Sequence, residues 1–132
     1  MLELYQHDFS EFDGRELNAH GEYGYRYLDY YWTEPERHAL LFSADGHLAG
    51  FALVRTGTPH DMAEFFVLRK YRRLGVGRRG ADVVFGSFPG PWRIRQLRTN
   101  TSATDFWRAT IPFPYSERET EDEVIQEFTA GF

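Results

Sequence analysis

Phe65-Phe66-Val67-Leu68-Arg69-Lys70-Tyr71-Arg72-Arg73-Leu74-Gly75-Val76-Gly77-Arg78-Arg79-Gly80-Ala81 decides the reading of this 132-residue chain. The apolar run Met62–Leu68 has the length and the Phe and Val content of a buried strand. It feeds a basic loop over 69–77, and a helix is expected from about Val76, with Ala81, Val84, Phe85 and Phe88 on its inner side. The first N–H groups of such a helix have no intrahelical partner and carry the positive end of its dipole. Glycines let a ligand approach the main chain closely. Six bases surround the spot: Arg69, Lys70, Arg72, Arg73, Arg78 and Arg79. The combination is an anion site, suited to a phosphate or pyrophosphate.

Neighbouring signatures fit less well. Gly75, Gly77 and Gly80 have the spacing of the dinucleotide fingerprint, which needs an acid about 20 residues on for a ribose. The corresponding stretch here, Arg93–Arg98, holds none. Nor is this a P-loop, because Ala81-Asp82 follows Gly80 where Lys and Ser or Thr belong.

Outward from the loop, Asp45-Gly46 is a strong two-residue turn signal and makes residues 39–56 a hairpin, with strands Ala39–Ser43 and Leu48–Arg55. Thr56–Pro59 is a loop. Pro89-Gly90-Pro91 stops the helix, and Trp92–Thr99 alternates as a strand. Residues 102–110 read as a second helix, with Ser102 as N-cap and Asp105 completing a capping-box pattern. Phe113–Arg118 and Val124–Phe128 read as closing strands around the acidic run Glu119–Glu123. Near the start, Leu2, Tyr5, Phe9 and Phe12 share a helix face. Residues 21–32 hold six aromatics. The expected fold class is α/β, one parallel pair inside an otherwise antiparallel sheet flanked by helices, in one domain over 1–132.

Composition narrows the function. Net charge is −5, yet residues 1–68 carry −8, residues 69–108 carry +8 and residues 109–132 carry −5. Cysteine is absent, which removes disulfides, thiolate zinc sites and Cys nucleophiles. No metal site is expected. No apolar run approaches the ~20 residues of a membrane span, and no leader pattern opens the chain. A cytoplasmic protein without a membrane partner is the expectation. Nucleic acid is a third reading of the basic block, disfavoured because the bases gather at one helix start rather than along a face.

At this point the chain resembles the GNAT superfamily of N-acetyltransferases. Arg72-Arg73-Leu74-Gly75-Val76-Gly77 fits that family's Arg/Gln-x-x-Gly-x-Gly/Ala motif, after an apolar strand and before a helix. Asn100-x-x-Ala103-x-x-Phe106-Trp107 resembles a second family segment. The likeness is good over roughly 39–110 and poor on the flanks. It looks closest to a bacterial subgroup of predicted acetyltransferases. The resemblance implies acetyl-CoA as cofactor and the amine of a small molecule or peptide as acceptor. Main-chain N–H groups of Leu74, Val76, Gly77 and Arg78, shaped by Gly75, would hold the pyrophosphate. Arg69, Arg73 and Arg78 would supply counter-charge, and Arg72 of the motif belongs to the same cofactor set. Main-chain groups near Val67 and Leu68 would pair with the pantetheine arm, in a cleft where the strand splays from its neighbour. Asn100, Phe106 and Trp107 complete the expected cofactor set.

Acetyl transfer needs a base for the amine, a donor to the oxyanion and a proton for the leaving thiolate. Glu64 and Asp61 are the base candidates, on opposite faces of an ideal strand unless a bulge intervenes. His60 is a weaker third. Many relatives place a Tyr where this chain has Trp107, and an indole N–H is no useful acid. Tyr115 or water would then protonate the thiolate. Tyr23, Tyr27, Tyr31 and Trp32 are the expected acceptor wall. The family's first strand looks missing here, which leaves three alternatives: a partner chain, as in a homodimer, covers the exposed edge, the start site is misplaced, or the chain is a degenerate member. The alternative to an enzyme is a non-catalytic CoA-binding module.

Overall fold

The computed structural model describes residues 34–72 and 74–131. The expected opening helix, the aromatic segment with Tyr23, Tyr27, Tyr31 and Trp32, the expected loss of a first strand, and Arg73 lie outside the described residues.

Asp45 and Gly46 have φ of 51° and 79°, the positive values a two-residue hairpin turn requires. They join β1 (Arg37–Ala44) to β2 (His47–Arg55). β3 (His60–Val67) pairs antiparallel with β2 and leads through a short turn, Arg69–Tyr71, into α1 (Val76–Ser87). β4 (Gly90–Leu97), α2 (Thr101–Thr110), β5 (Tyr115–Glu119) and β6 (Glu123–Ala130) follow. The sheet order is β1-β2-β3-β4-β6-β5, with β3 and β4 the parallel pair.

Several boundaries differ from expectation. β4 begins at Gly90, so the Pro-Gly-Pro stop is partly strand. Pro91 lies below the first rung shared with β3, where a missing N–H is tolerated. β5 begins at Tyr115 rather than Phe113. Phe113 lies between Pro112 and Pro114, and its ring stacks on Phe128 at 5.9 Å instead. α2 begins at Thr101 and is capped by Asn100, whose Oδ1 accepts the Ala103 N–H at 3.2 Å. Ser102 is not the cap. Asn caps at least as well as Ser and sits at the position where the chain turns in.

Both helices pack on one face of the sheet. Phe85 of α1 is the centre, with ring centroids 5.3 Å from Trp92, 5.2 Å from Phe128 and 6.3 Å from Trp107. Removing so central a ring typically costs ~3–5 kcal/mol. Phe51, Leu53 and Phe66 form a smaller cluster on the opposite face.

A polar circuit fastens α2 to the sheet. Thr104 Oγ1 donates to Gln96 on β4, and Gln96 Nε2 donates to Gln126 on β6 at 2.7 Å. Gln126, fully buried, donates on to Glu117 of β5, which accepts two bonds from Arg108 back on α2. A closed polar network of this kind fixes geometry that apolar contact alone leaves loose. The Arg108 guanidinium, then the Gln126 amide, hold the Glu117 carboxyl down at about 2, and the same contact raises Arg108.

Two outcomes follow from the fold. A Cβ at Gly50 would collide with the Phe66 carbonyl oxygen on β3, a main-chain atom that cannot swing aside. Gly50→Ala should therefore cost about 1–3 kcal/mol in urea unfolding. The depressed Glu117 pKa stabilises the folded chain above its unfolded value of 4.5, and that contribution fades as pH falls toward about 2. Denaturation midpoints across this window should fall less steeply for Glu117→Gln than for the wild type, and the variant should be the less stable of the two at pH 7.

Candidate functional site

β3 and β4 share two register pairs, His60 with Trp92 and Asp61 with Arg93, and then part. Between them opens a cavity of about 240 Å³. Met62, Glu64 and Phe65 line it from β3, and Arg95 and Leu97 from β4. Asn100, Ala103 and Trp107 of α2 close one side, and Glu123 stands at the start of β6.

The parting has a visible cause. Leu53 pairs with Glu64 and Val54 with Met62, so Ala63 is an extra residue on β3. Such a bulge bends its strand and re-aims the side chains beyond it. It also resolves the placement of the two acids. Leu53 belongs to the cluster away from the helices, and its register partner Glu64 shares that face. Asp61, paired with Arg55, lies on that face too. The bulge therefore puts both carboxylates on one side.

Their surroundings differ. Asp61 is buried, and its Oδ2 accepts Arg95 Nη2 at 3.4 Å. Glu64 is half-buried and lines the cavity. His60 has both ring nitrogens engaged. Nδ1 accepts the Gly57 N–H at 3.0 Å, which leaves Nε2–H to donate to the Pro89 carbonyl at 2.9 Å. That arrangement ties the base of β3 to the end of α1 and leaves no nitrogen for proton abstraction.

The main chain of β3 presents one edge to the cleft. The Leu68 N–H bonds the Ala49 carbonyl, which marks 68, 66 and 64 as the residues bonded to β2. Phe65 and Val67 then face the β4 side. The Val67 carbonyl is occupied by Arg72 Nε at 2.8 Å, and the Arg72 guanidinium lies 5.4 Å from the Phe66 ring centre. Arg72 thus fastens the strand end.

Beyond it, Gly75 takes φ of 79° as N-cap of α1, with no side-chain cap and no acid in the first turn. The Arg79 N–H bonds the Gly75 carbonyl, which closes the first turn of the helix. Val76, Gly77 and Arg78 belong to that first turn, whose N–H groups precede the first bond of the α-helical ladder. Arg78 and Arg79 are exposed, and the Arg79 guanidinium folds over Gly75. Cations at a helix N-terminus oppose its dipole, so this first turn has the charge of a site awaiting an anion. Gly77 has a packing role as well, because a Cβ there would press on the Phe106 ring at 3.0 Å.

Of the remaining residues singled out in the sequence, Arg69 is exposed on the turn after β3, and Leu74 stands exposed beside the helix start. Phe106 lies between β3 and α1, its ring 5.6 Å from Phe65. Trp107 is buried in the core and walls the cavity as well. Tyr115 is exposed on β5, the edge strand, and does not line the cavity. Among the described residues no group of His, Asp and Glu could hold a metal ion, and no helix is long and apolar enough to cross a membrane. Sequence reasoning passed over Arg95 and Glu123.

The model of the acetyltransferase (GNAT) family matches residues 1–110, further toward the start of the chain than the motifs alone reach. Among solved structures, an acetyltransferase from Thermus thermophilus superposes with a TM-score of 0.63 at 18% identity, covering 79% of this chain and 71% of that one. The ribosomal-protein-S18-alanine N-acetyltransferase of Escherichia coli gives 0.61 at 14% identity, over 74% of this chain and 72% of its own. A Bacillus anthracis str. Ames protein solved in complex with acetyl coenzyme A gives 0.61 at 16%, over 76% and 67%. No protein of curated function matches the chain.

Proposed function

The chain belongs to the acetyltransferase (GNAT) family, and on that footing we propose that it moves an acetyl group from acetyl-CoA to an amine by direct transfer, as one domain over residues 1–132. One conjunction carries the reading. β3 parts from β4 and leads through one short turn into an arginine-flanked helix start with no side-chain cap.

The residues present suit the cofactor. The first-turn N–H groups of Val76, Gly77 and Arg78, with Leu74 and the positive φ of Gly75, would hold the pyrophosphate. Arg69, Arg73 and Arg78 would supply counter-charge. The main-chain edge of Phe65 and Val67 would hold the pantetheine arm as a neighbouring strand would, with Leu68 and Arg72 fixing the strand end. Asn100 spends its Oδ1 on the helix cap and keeps its amide N–H groups for the cleft. Trp107 walls it, and Phe106 packs beside it against Phe65 and Gly77 at the cofactor end. When bound, the thioester supplies an activated acetyl group.

Glu64 is assigned the base, since it lines the cavity on the bulged strand. Asp61, held by Arg95, shapes the vertex and is the second choice. A main-chain N–H beside the bulge would face the carbonyl oxygen as it gains charge. Tyr115 lies away from the cavity, so the leaving thiolate takes its proton from water. The acceptor wall is assigned to Tyr23, Tyr27, Tyr31 and Trp32, for the amine of a small molecule or peptide. The Escherichia coli neighbour, named for an alanine of a ribosomal protein, keeps peptide amines in that class. A second reading, a CoA-binding module without turnover, draws on Trp107, a core residue where relatives carry a phenol.

Calorimetry with CoA and acetyl-CoA tests the cofactor assignment. Binding should be saturable, and Arg78→Glu should weaken it by at least roughly tenfold without lowering the melting temperature. No heat at high micromolar ligand sinks the reading. Glu64→Gln should keep CoA affinity and lose about 10²–10⁴-fold in turnover. CoA binding without acetylation of any amine would favour the second reading.

A further inference from the structure

Arg93 is out of balance with its surroundings. It stands on β4 at the vertex of the cleft, on the face away from the helices. Register sets it beside Asp61 on β3 and Glu127 on β6. Either carboxylate could neutralise it, and neither does. Asp61 takes Arg95, and Glu127 Oε1 takes Arg118 Nε at 2.9 Å. Arg93 Nε is buried and has no hydrogen-bond partner. A buried donor without an acceptor destabilises a fold, more so when it is charged, and such a group needs a reason to be there.

The register shows which other charges share this face. Arg55, opposite Asp61, shares this face, as do Arg93, Arg95 and Arg118. On the described strands four guanidinium groups thus share the face with Asp61, Glu64, Glu123 and Glu127, and Asp61 and Glu127, the two beside Arg93, are already engaged. Glu64 lies on the same face, three residues up β3 from Asp61 with the bulged Ala63 between. That places the Glu64 and Arg93 backbones roughly 7–10 Å apart along the strands, a gap that two long side chains close from either end.

We propose that Arg93 holds a carboxylate of the acceptor, so the substrate is an amine that also carries a carboxylate group, of the amino-acid or short-peptide class. This rests on the acetyltransferase reading above and names the acceptor for that same site. A guanidinium fork matches a carboxylate in two parallel bonds. Asp61 and Glu127 face Arg93 from the flanking strands, and their charge favours a monoanion over a phosphate dianion. The cofactor's phosphates have their place at the far end of β3, at the start of α1. Arg93 would thereby set which amines are accepted, by holding the end of the molecule that does not react.

The test compares acceptors in pairs that differ by one carboxylate: L-phenylalanine with phenethylamine, L-lysine with cadaverine, and alanyl-alanine with its C-terminal amide. At saturating acetyl-CoA the carboxylate-bearing member should win by roughly 10²-fold or more in kcat/KM. Arg93→Met should bring each pair level, through acceptor KM, with CoA affinity unchanged. Because it removes an unpaired buried donor, Arg93→Met should also melt no lower than the wild type. Arg93→Lys, which keeps charge without the fork, is the second variant and should restore part of the preference. Equal rates within every wild-type pair, or a preference that survives Arg93→Met, overturns the inference. So does CoA binding with no acetylation of, and no thermal stabilisation by, any carboxylate-bearing member. Absence of CoA binding is a different failure, seen by calorimetry alone, and removes the acetyltransferase reading together with this one.

Discussion

Two rungs, His60 with Trp92 and Asp61 with Arg93, join the halves of the sheet, and the rest of the molecule is arranged around that narrow seam. On one side stand β1, β2 and β3, and on the other β4, β6 and β5. The aromatic cluster on the helix face keeps the halves from separating. Phe85 of α1 meets Trp92 and Phe128, while Trp107 of α2 reaches across to Phe65 on β3 at 4.9 Å. The extra residue at Ala63 keeps them from zipping together, because the strand turns aside there. His60 ties the closed end through both ring nitrogens. The cleft is thus held shut at one end and open at the other by separate groups of residues.

Those parts of the molecule that depend on local chemistry were legible in the sequence. Asp45-Gly46 announces a hairpin because few other residue pairs accept positive φ in succession. The glycine and arginine loop announces an anion because a helix start has donors to offer and these residues leave them uncovered. The parallel pair followed from a strand, a helix and a strand in close order. Residue types at fixed spacing are enough for each of these.

What was hidden depends on pairing at a distance. Nothing in Met62-Ala63-Glu64-Phe65 marks the bulge, yet the face shared by Asp61 and Glu64 turns on it. Nothing in the sequence marks Gln96 and Gln126, and only the assembled sheet reveals them as links between Thr104 and Glu117. Arg72 sits in the anion motif, yet its Nε grips the Val67 carbonyl. The cap of α2 moved from Ser102 to Asn100 because neighbouring good caps compete and backbone direction chooses between them. Arg93 stands out only once its neighbours' commitments are known. A sequence counts charges, and the fold decides which are already spoken for.

The helix start after Gly75 has a consequence for descent. Its donors belong to the main chain, which every residue but proline supplies alike. A surface built this way asks for a particular course of the backbone and leaves most side chains there replaceable, Gly75 with its positive φ excepted. Letters can drift while the path stays put. Ancestry in such a protein is written in the trace of its chain more durably than in its spelling.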